Sequence, residues 1–264
     1  MRTTLDRTTV THLPNDFSAI GFQVSSEQEF FELAKTVVSD AVEISVSGGS
    51  LRRWSDPSGA ELWVQVDPAG DIVGMDPHFV GGSSVRVGLD YRVVNPSGTI
   101  LDGWFYAWAS PREDARHGDY PFVFFCPEFY RYSDVGTPAL ATAQVAAFAR
   151  SPLEVSDDTT SPQMRERGHN GGSFVPSGTF RPEGGLIEPP EPLAFMRGRV
   201  RESSARVNGL TGRAFYALEV ESYGGDYSVV VDPAVMHGLP EPGAIVSGNF
   251  WLSGRFVDGT LRSV

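Results

Sequence analysis

Arg53-Trp54-Ser55-Asp56-Pro57-Ser58-Gly59-Ala60-Glu61-Leu62-Trp63-Val64-Gln65-Val66-Asp67 is the stretch on which the fold of this chain is decided. Its centre, Asp56-Pro57-Ser58-Gly59, has the chemistry of a type I turn. Asp bonds nearby backbone, Pro presets φ, and Gly takes the positive φ at which the chain leaves. Beyond the turn the residues alternate. Leu62, Val64 and Val66 share one face of a strand, and Glu61, Trp63, Gln65 and Asp67 share the other. Trp63 therefore sits among polar residues, which points to a ligand, a partner or a second domain covering it.

Outward from this hairpin the same design repeats. Asp67-Pro68-Ala69-Gly70 and Asn95-Pro96-Ser97-Gly98 are two further turns between alternating segments, the signature of a hairpin-rich antiparallel sheet. Upstream, Val42, Ile44 and Val46 give one strand and Leu51 to Trp54 another. Ser26 with Glu29 forms a capping box for a helix from about Glu27 to Val38, with Phe30, Leu33 and Val37 on one face. Ile20, Phe22 and Val24 alternate, so Ser18 to Val24 reads as a first strand. Downstream, Ile72 to Met75 is a short strand, Val85 to Val93 a long half-buried one, Ile100 to Trp108 an aromatic one and Phe122 to Cys126 a central one. Thr137-Pro138 has the form of an N-cap and N1 pair, predicting a second helix to about Arg150.

Composition sets the outer limits. The 264 residues suffice for one large domain or two modest ones, and 41 % hydrophobic content is enough for a sizeable core. The formal net charge of −12 argues against generic binding to nucleic acid or anionic membrane, so neither is expected as a partner. Cys126 is the only cysteine and lies in the apolar run Phe122-Val123-Phe124-Phe125-Cys126, a packing position. No basic region followed by an apolar one opens the chain and no apolar run reaches transmembrane length, so a cytoplasmic location is expected.

The domain reading divides the chain into a flexible arm at 1–17, an α+β domain at 18–150, a Pro/Gly-rich linker or surface wrap at 151–191, and a small β barrel at 192–264. The fold class expected is α+β, an antiparallel or mixed sheet with two helices followed by a small all-β barrel. Within 192–264 Gly198 interrupts a long strand, Tyr216 to Val220 and Tyr227 to Val231 follow, Asp232 to Leu239 is a short helix or turn, and Gly243 to Phe256 is two short strands or one bent one.

Two resemblances follow from these patterns. Residues 18–75, read as β-α-β-β-β with the Asp-Pro-Ser-Gly turn before a strand, resemble a half-module of the vicinal-oxygen-chelate (glyoxalase-like) superfamily. That resemblance implies a divalent metal held by a residue of the first strand, here Gln23, and by one on the strand after the turn. The position expected for the second ligand holds Trp63, with Glu61 two residues earlier on the same face. Residues 192–264 resemble an OB-type barrel, which implies a sheet face able to bind oligonucleotides, oligosaccharides or proteins.

The candidate site residues are few. His78, in Gly74-Met75-Asp76-Pro77-His78-Phe79, reads as a loop histidine just after a strand, and it joins Gln23 and Glu61 as the set to test for metal. Asp114, His117 and Asp119 form a loop flanked by Arg112 and Arg116. Arg197, Arg199 and Arg201 fall at i, i+2 and i+4 and would line one strand face. The segment 192–264 has seven arginines and seven acidic residues, so the net negative charge falls on the rest of the chain. No phosphate loop, dinucleotide fingerprint, nucleophile elbow or metal-ligand spacing is present, and no cofactor is expected. The function expected is therefore that of a non-enzymatic binding or interaction protein, with a protein partner or small ligand at Trp63. The alternatives are a metal-dependent glyoxalase-like lyase or isomerase, and single-stranded nucleic-acid binding by the barrel through Arg197, Arg199 and Arg201 with Trp251 or Tyr216 as a stacking platform.

Overall fold

The computed structural model describes residues 15–94, 99, 101–158, 171–177 and 190–264. The arm to residue 14, the turn at 95–98, His12 and His169 lie outside them. The Asp56–Gly59 turn forms as its residues require: the Gly59 N–H donates to Asp56 O at 2.9 Å, and the Ser58 N–H donates to Asp56 Oδ1 at 2.8 Å. Gly59 takes φ +95°, and a Cβ on it would lie 2.7 Å from Val80 O. On either side, β1 (Val42–Val46), β2 (Gly49–Ser55), β3 (Ala60–Val66) and β4 (Ile72–Phe79) run in chain order as a four-stranded antiparallel sheet. Every residue of β3 is buried, so both faces of its alternation are covered.

Helix α1 (Glu27–Val38) opens as predicted, with the Glu29 N–H donating to Ser26 Oγ at 3.2 Å. The strand expected over Ser18 to Val24 does not form. Ser18–Ile20 is a single 3-10 turn. Its carbonyls are taken by a distant hairpin tip: Asn208 Nδ2 donates to Ile20 O at 2.9 Å and Thr211 Oγ1 to Gly21 O at 2.7 Å. Asn15 and Ser18 also bond reciprocally. Ile20, Phe22 and Val24 are buried anyway, so their spacing recorded burial and not a strand.

The larger sheet holds β5 (Val85–Val94), β6 (Gly103–Ala109), β7 (Pro121–Phe125), β8 (Ala139–Ala149), β9 (Glu154–Ser156), β10 (Ser173–Pro176), β11 (Leu193–Val207), β12 (Ala214–Ser222), β13 (Gly225–Val231), β14 (Ile245–Phe256) and β15 (Arg262–Ser263). Eight of them close a barrel in the order β5-β6-β7-β14-β11-β12-β13-β8. β8 and β14 also pair directly. The strands of 192–264 thus close through β8, which pairs in parallel with β13 and antiparallel with β14. Ile245–Phe256 is one continuous strand, and Gly254 lets the Phe124 ring approach to 2.5 Å of where its Cβ would be.

The expected α+β class is overturned: the described residues are mostly β, with one α-helix. The second helix is strand β8. Its sequence, Ala139-Leu140-Ala141-Thr142-Ala143-Gln144-Val145-Ala146-Ala147-Phe148-Ala149, is rich in good helix formers, and intrinsic propensity points the wrong way. Period 2 decides instead. Ala139, Ala141, Ala143, Val145, Ala147 and Ala149 enter the barrel core, while Ala146 and Phe148 join a second core between the barrel, the small sheet and α1. Alanine serves here because β8 is covered on both faces and flanked on both edges. Ala143 is opposite Val85 on one side and Phe256 on the other. Ala143→Leu, harmless on an exposed helix face, is expected to lower stability by about 1–3 kcal/mol through overpacking, read from urea unfolding.

A bulge in β5 between Leu89 and Tyr91 changes which face its side chains take. Val85, Val87 and Leu89 point into the barrel, but Tyr91 and Val93 point out and join Trp104, Tyr106 and Val123 on its outer surface. Strict alternation over Val85 to Val93 would put all five on one face. Among the described residues no helix is long and apolar enough to cross a membrane.

Candidate functional site

The polar face of β3 lies inside the molecule. Register pairs Glu61 with His78 and Trp63 with Asp76 across the β3–β4 ladder. Trp63 and His78 are both 0 % exposed. His78 therefore belongs to strand β4, not to the loop expected for it. Trp63 Nε1 donates to Glu61 Oε2 at 3.0 Å, and the Arg255 guanidinium lies 4.9 Å from the indole centroid. Arg255 also pairs with Glu61 at 3.2 Å and with Glu128 at 3.5 Å. Glu128 in turn accepts from Arg131 at 3.0 Å and from the Tyr132 hydroxyl at 3.0 Å. The chain's own residues, not a partner, cover Trp63.

His78 is held at both nitrogens. Nδ1 is 2.9 Å from Ser253 Oγ and Nε2 is 2.9 Å from Gln144 Oε1. An amide oxygen only accepts, so Nε2 carries the proton and Nδ1 accepts from the serine hydroxyl. Burial, then the nearby Arg255 charge, push the His78 pKa down to about 3, so the ring is neutral. A serine bonded to a histidine can be a nucleophile–base pair, but here both side chains are buried. The pair acts as a lock between β4 and the outer wall of β8 and β14. Gln65 Nε2 donates to Asp76 Oδ2 at 2.8 Å, and Asp76 is raised well above the ordinary carboxylate range by burial and by the Asp102 charge.

The proposed metal set does not converge. Gln23 is exposed, and its Oε1 accepts from Arg213 Nη1 at 3.1 Å. Both His78 nitrogens are occupied, and Glu61 is engaged by Ser55, Trp63 and Arg255. Among the described residues no group of three His, Cys, Asp or Glu side chains is placed to hold a metal ion. In the Arg112–Asp119 loop, His117 Nδ1 pairs with Asp114 Oδ2 at 2.6 Å on the surface.

The arginine stripe does line the outer face of β11, and each member has a partner. Arg197 donates to Gly171 O, Arg199 pairs with Asp158, and Arg201 pairs with Glu221 at 3.0 Å. Beside this stripe lies a feature that alternation alone did not single out. Phe195, one step along the same face, is 40 % exposed, and its ladder partner Val175 on β10 is 53 % exposed. Among the described residues this is the one ladder-paired couple of strongly exposed large apolar side chains. On the other flank Phe195 is opposite exposed Asn249 of β14, and Leu193 is opposite Trp251, which packs on Phe125 and Phe148 at 5.4 and 5.2 Å. The Phe195-x-Arg197 spacing was visible in the sequence; Val175 sits in a stretch without period, and only pairing reveals its place.

Comparison with family models, with curated proteins and with solved structures yields no match.

Proposed function

We propose that this chain is a non-enzymatic binding protein that holds a protein partner on the outer face of β10, β11 and β14. The paired exposure of Val175 and Phe195 carries this reading. Single exposed apolar side chains are ordinary, whereas neighbouring ones on a ladder cost hydration together and mark a contact surface. Among the described residues this surface is the outward side of adjacent strands, with an aromatic centre and polar residues, Asn249 and Arg197, at its border. Such a surface suits a protein partner better than a small ligand, which needs to be enclosed. Single-stranded nucleic acid is less well supported, because Arg199 and Arg201 are paired with carboxylates and Arg197 alone would remain for phosphate.

A photoreactive phenylalanine analogue at position 195 or 175 tests this reading in cells. A discrete covalent adduct is expected from both positions and none from exposed Leu239 or Val257. No adduct from 195 and 175, or the same adducts from 257, would remove the proposal.

A further inference from the structure

We infer that the partner on this face is a second copy of the chain, paired about a two-fold axis that runs along β14; the inference rests on the binding face proposed above. Across the face, one row of outward side chains spans four strands: Ser173 on β10, Arg197 on β11, Ser247 on β14 and Glu154 on β9. Arg197 and Glu154 thus stand one strand to either side of Ser247. Arg197 donates to a backbone carbonyl, Gly171 O, and among the described residues no carboxylate pairs with it. Glu154 is exposed, and among the described residues its side chain has one polar contact, a long one of 3.5 Å from Ser247 Oγ.

A two-fold axis lying over β14 and parallel to it exchanges the columns on its two sides and keeps each row level. Arg197 of one copy then meets Glu154 of the other, and the reciprocal pair forms by symmetry. This is the self-complementarity that a two-fold interface needs, and such dimers are the commonest assemblies. The next row brings Phe195 against the far side of the other copy's β14, and the row beyond brings the Trp251 rings toward the axis. The apolar rows supply contact and the charged row sets the register, the usual division of roles in an interface.

Charge reversal separates this pairing from other causes of self-association. By sedimentation at about 100 µM, well above a micromolar dissociation constant, the wild-type chain is expected to be a dimer. Arg197→Glu and Glu154→Arg are each expected to weaken dimerisation at least tenfold by placing like charges opposite, and the double variant Arg197→Glu/Glu154→Arg is expected to restore it. Glu154 is exposed, so Glu154→Arg folds normally and reads association alone. A monomeric wild-type chain at that concentration, or a double variant no better than the singles, overturns the self-pairing. The binding face is judged separately. If the position-195 adduct contains a different protein, the face stands and the second copy falls; if there is no adduct and no dimer, both fall.

Discussion

Arg255→Ala is expected to lower the unfolding free energy by about 3–5 kcal/mol, the range found when one partner of a buried ion pair is removed. Among the described residues Arg255 is the one cation paired with Glu61, and it shares Glu128 with Arg131. Removing it leaves two carboxylates, exposed by 5 % and 1 %, without that charge, and also takes a cation from the Trp63 face. Urea unfolding at neutral pH reads the loss. Adding Glu61→Gln to Arg255→Ala is expected to recover part of it, because a neutral amide no longer needs a counter-charge, and Trp63 Nε1 can still donate to the amide oxygen. A loss below about 1 kcal/mol, the value of an exposed pair, would mean that water reaches the seam between the sheet and the barrel.

The second large effect is on acid stability. The folded-state pKa of His78 is depressed to about 3 from an ordinary 6.5. The unfolded chain therefore binds a proton below about pH 6.5 that the folded chain refuses. The stability this histidine contributes is complete above that pH and is lost as pH falls, at about 1.4 kcal/mol per unit and roughly 4–5 kcal/mol by pH 3. Asp76 acts with the opposite sign. Its raised folded-state pKa means that the folded chain takes up a proton before the unfolded one, which adds stability as pH falls toward the ordinary carboxylate range. Comparison with His78→Gln isolates the histidine, since Asp76 is common to both chains. The stability difference between wild type and His78→Gln is expected to be constant above about pH 7.5 and to shrink by about one proton's worth per unit below pH 6. A difference that stays constant from pH 7 to pH 4 would show that the folded protein binds the proton as readily as the unfolded one.

The parts of this molecule that were legible in the sequence are those fixed by local chemistry. The Asp56–Gly59 turn, the Ser26 cap of α1 and the alternation of β3 each depend on a few adjacent residues, and each is found where the residue types require it. What was not legible depends on distant partners. Ala139–Ala149 is helical by propensity and becomes a strand because the strands that carry Val85, Phe256, Ser228 and Ser253 pair with it on both edges. Ser18 to Val24 alternates, yet its carbonyls bond Asn208 and Thr211, almost two hundred residues away. The bulge after Leu89 shifts Tyr91 to the other face, and no residue type there announces it.

The polar seam shows the same division. That Glu61 and Trp63 share a face was read directly, and the short turn that makes Glu61 oppose His78 was read as well. Of the covers expected for that face, a ligand or partner is replaced by the chain itself: Arg255 and Ser253 come from the 192–264 segment, and Gln144 and Glu128 from segments whose own patterns gave no hint of buried partners. On the outer face of β11 the arginines drew attention because they repeat, while Phe195 on the same stripe gained meaning only when β10 placed Val175 opposite it.

The molecule sets an internal Trp63 face against an external Phe195 face. Carbene footprinting of the intact protein at submicromolar concentration tests it directly. Strong labelling of Phe195 and Val175 with none at Trp63 or His78 is the predicted result; labelling of Trp63 with protection of Phe195 would contradict it.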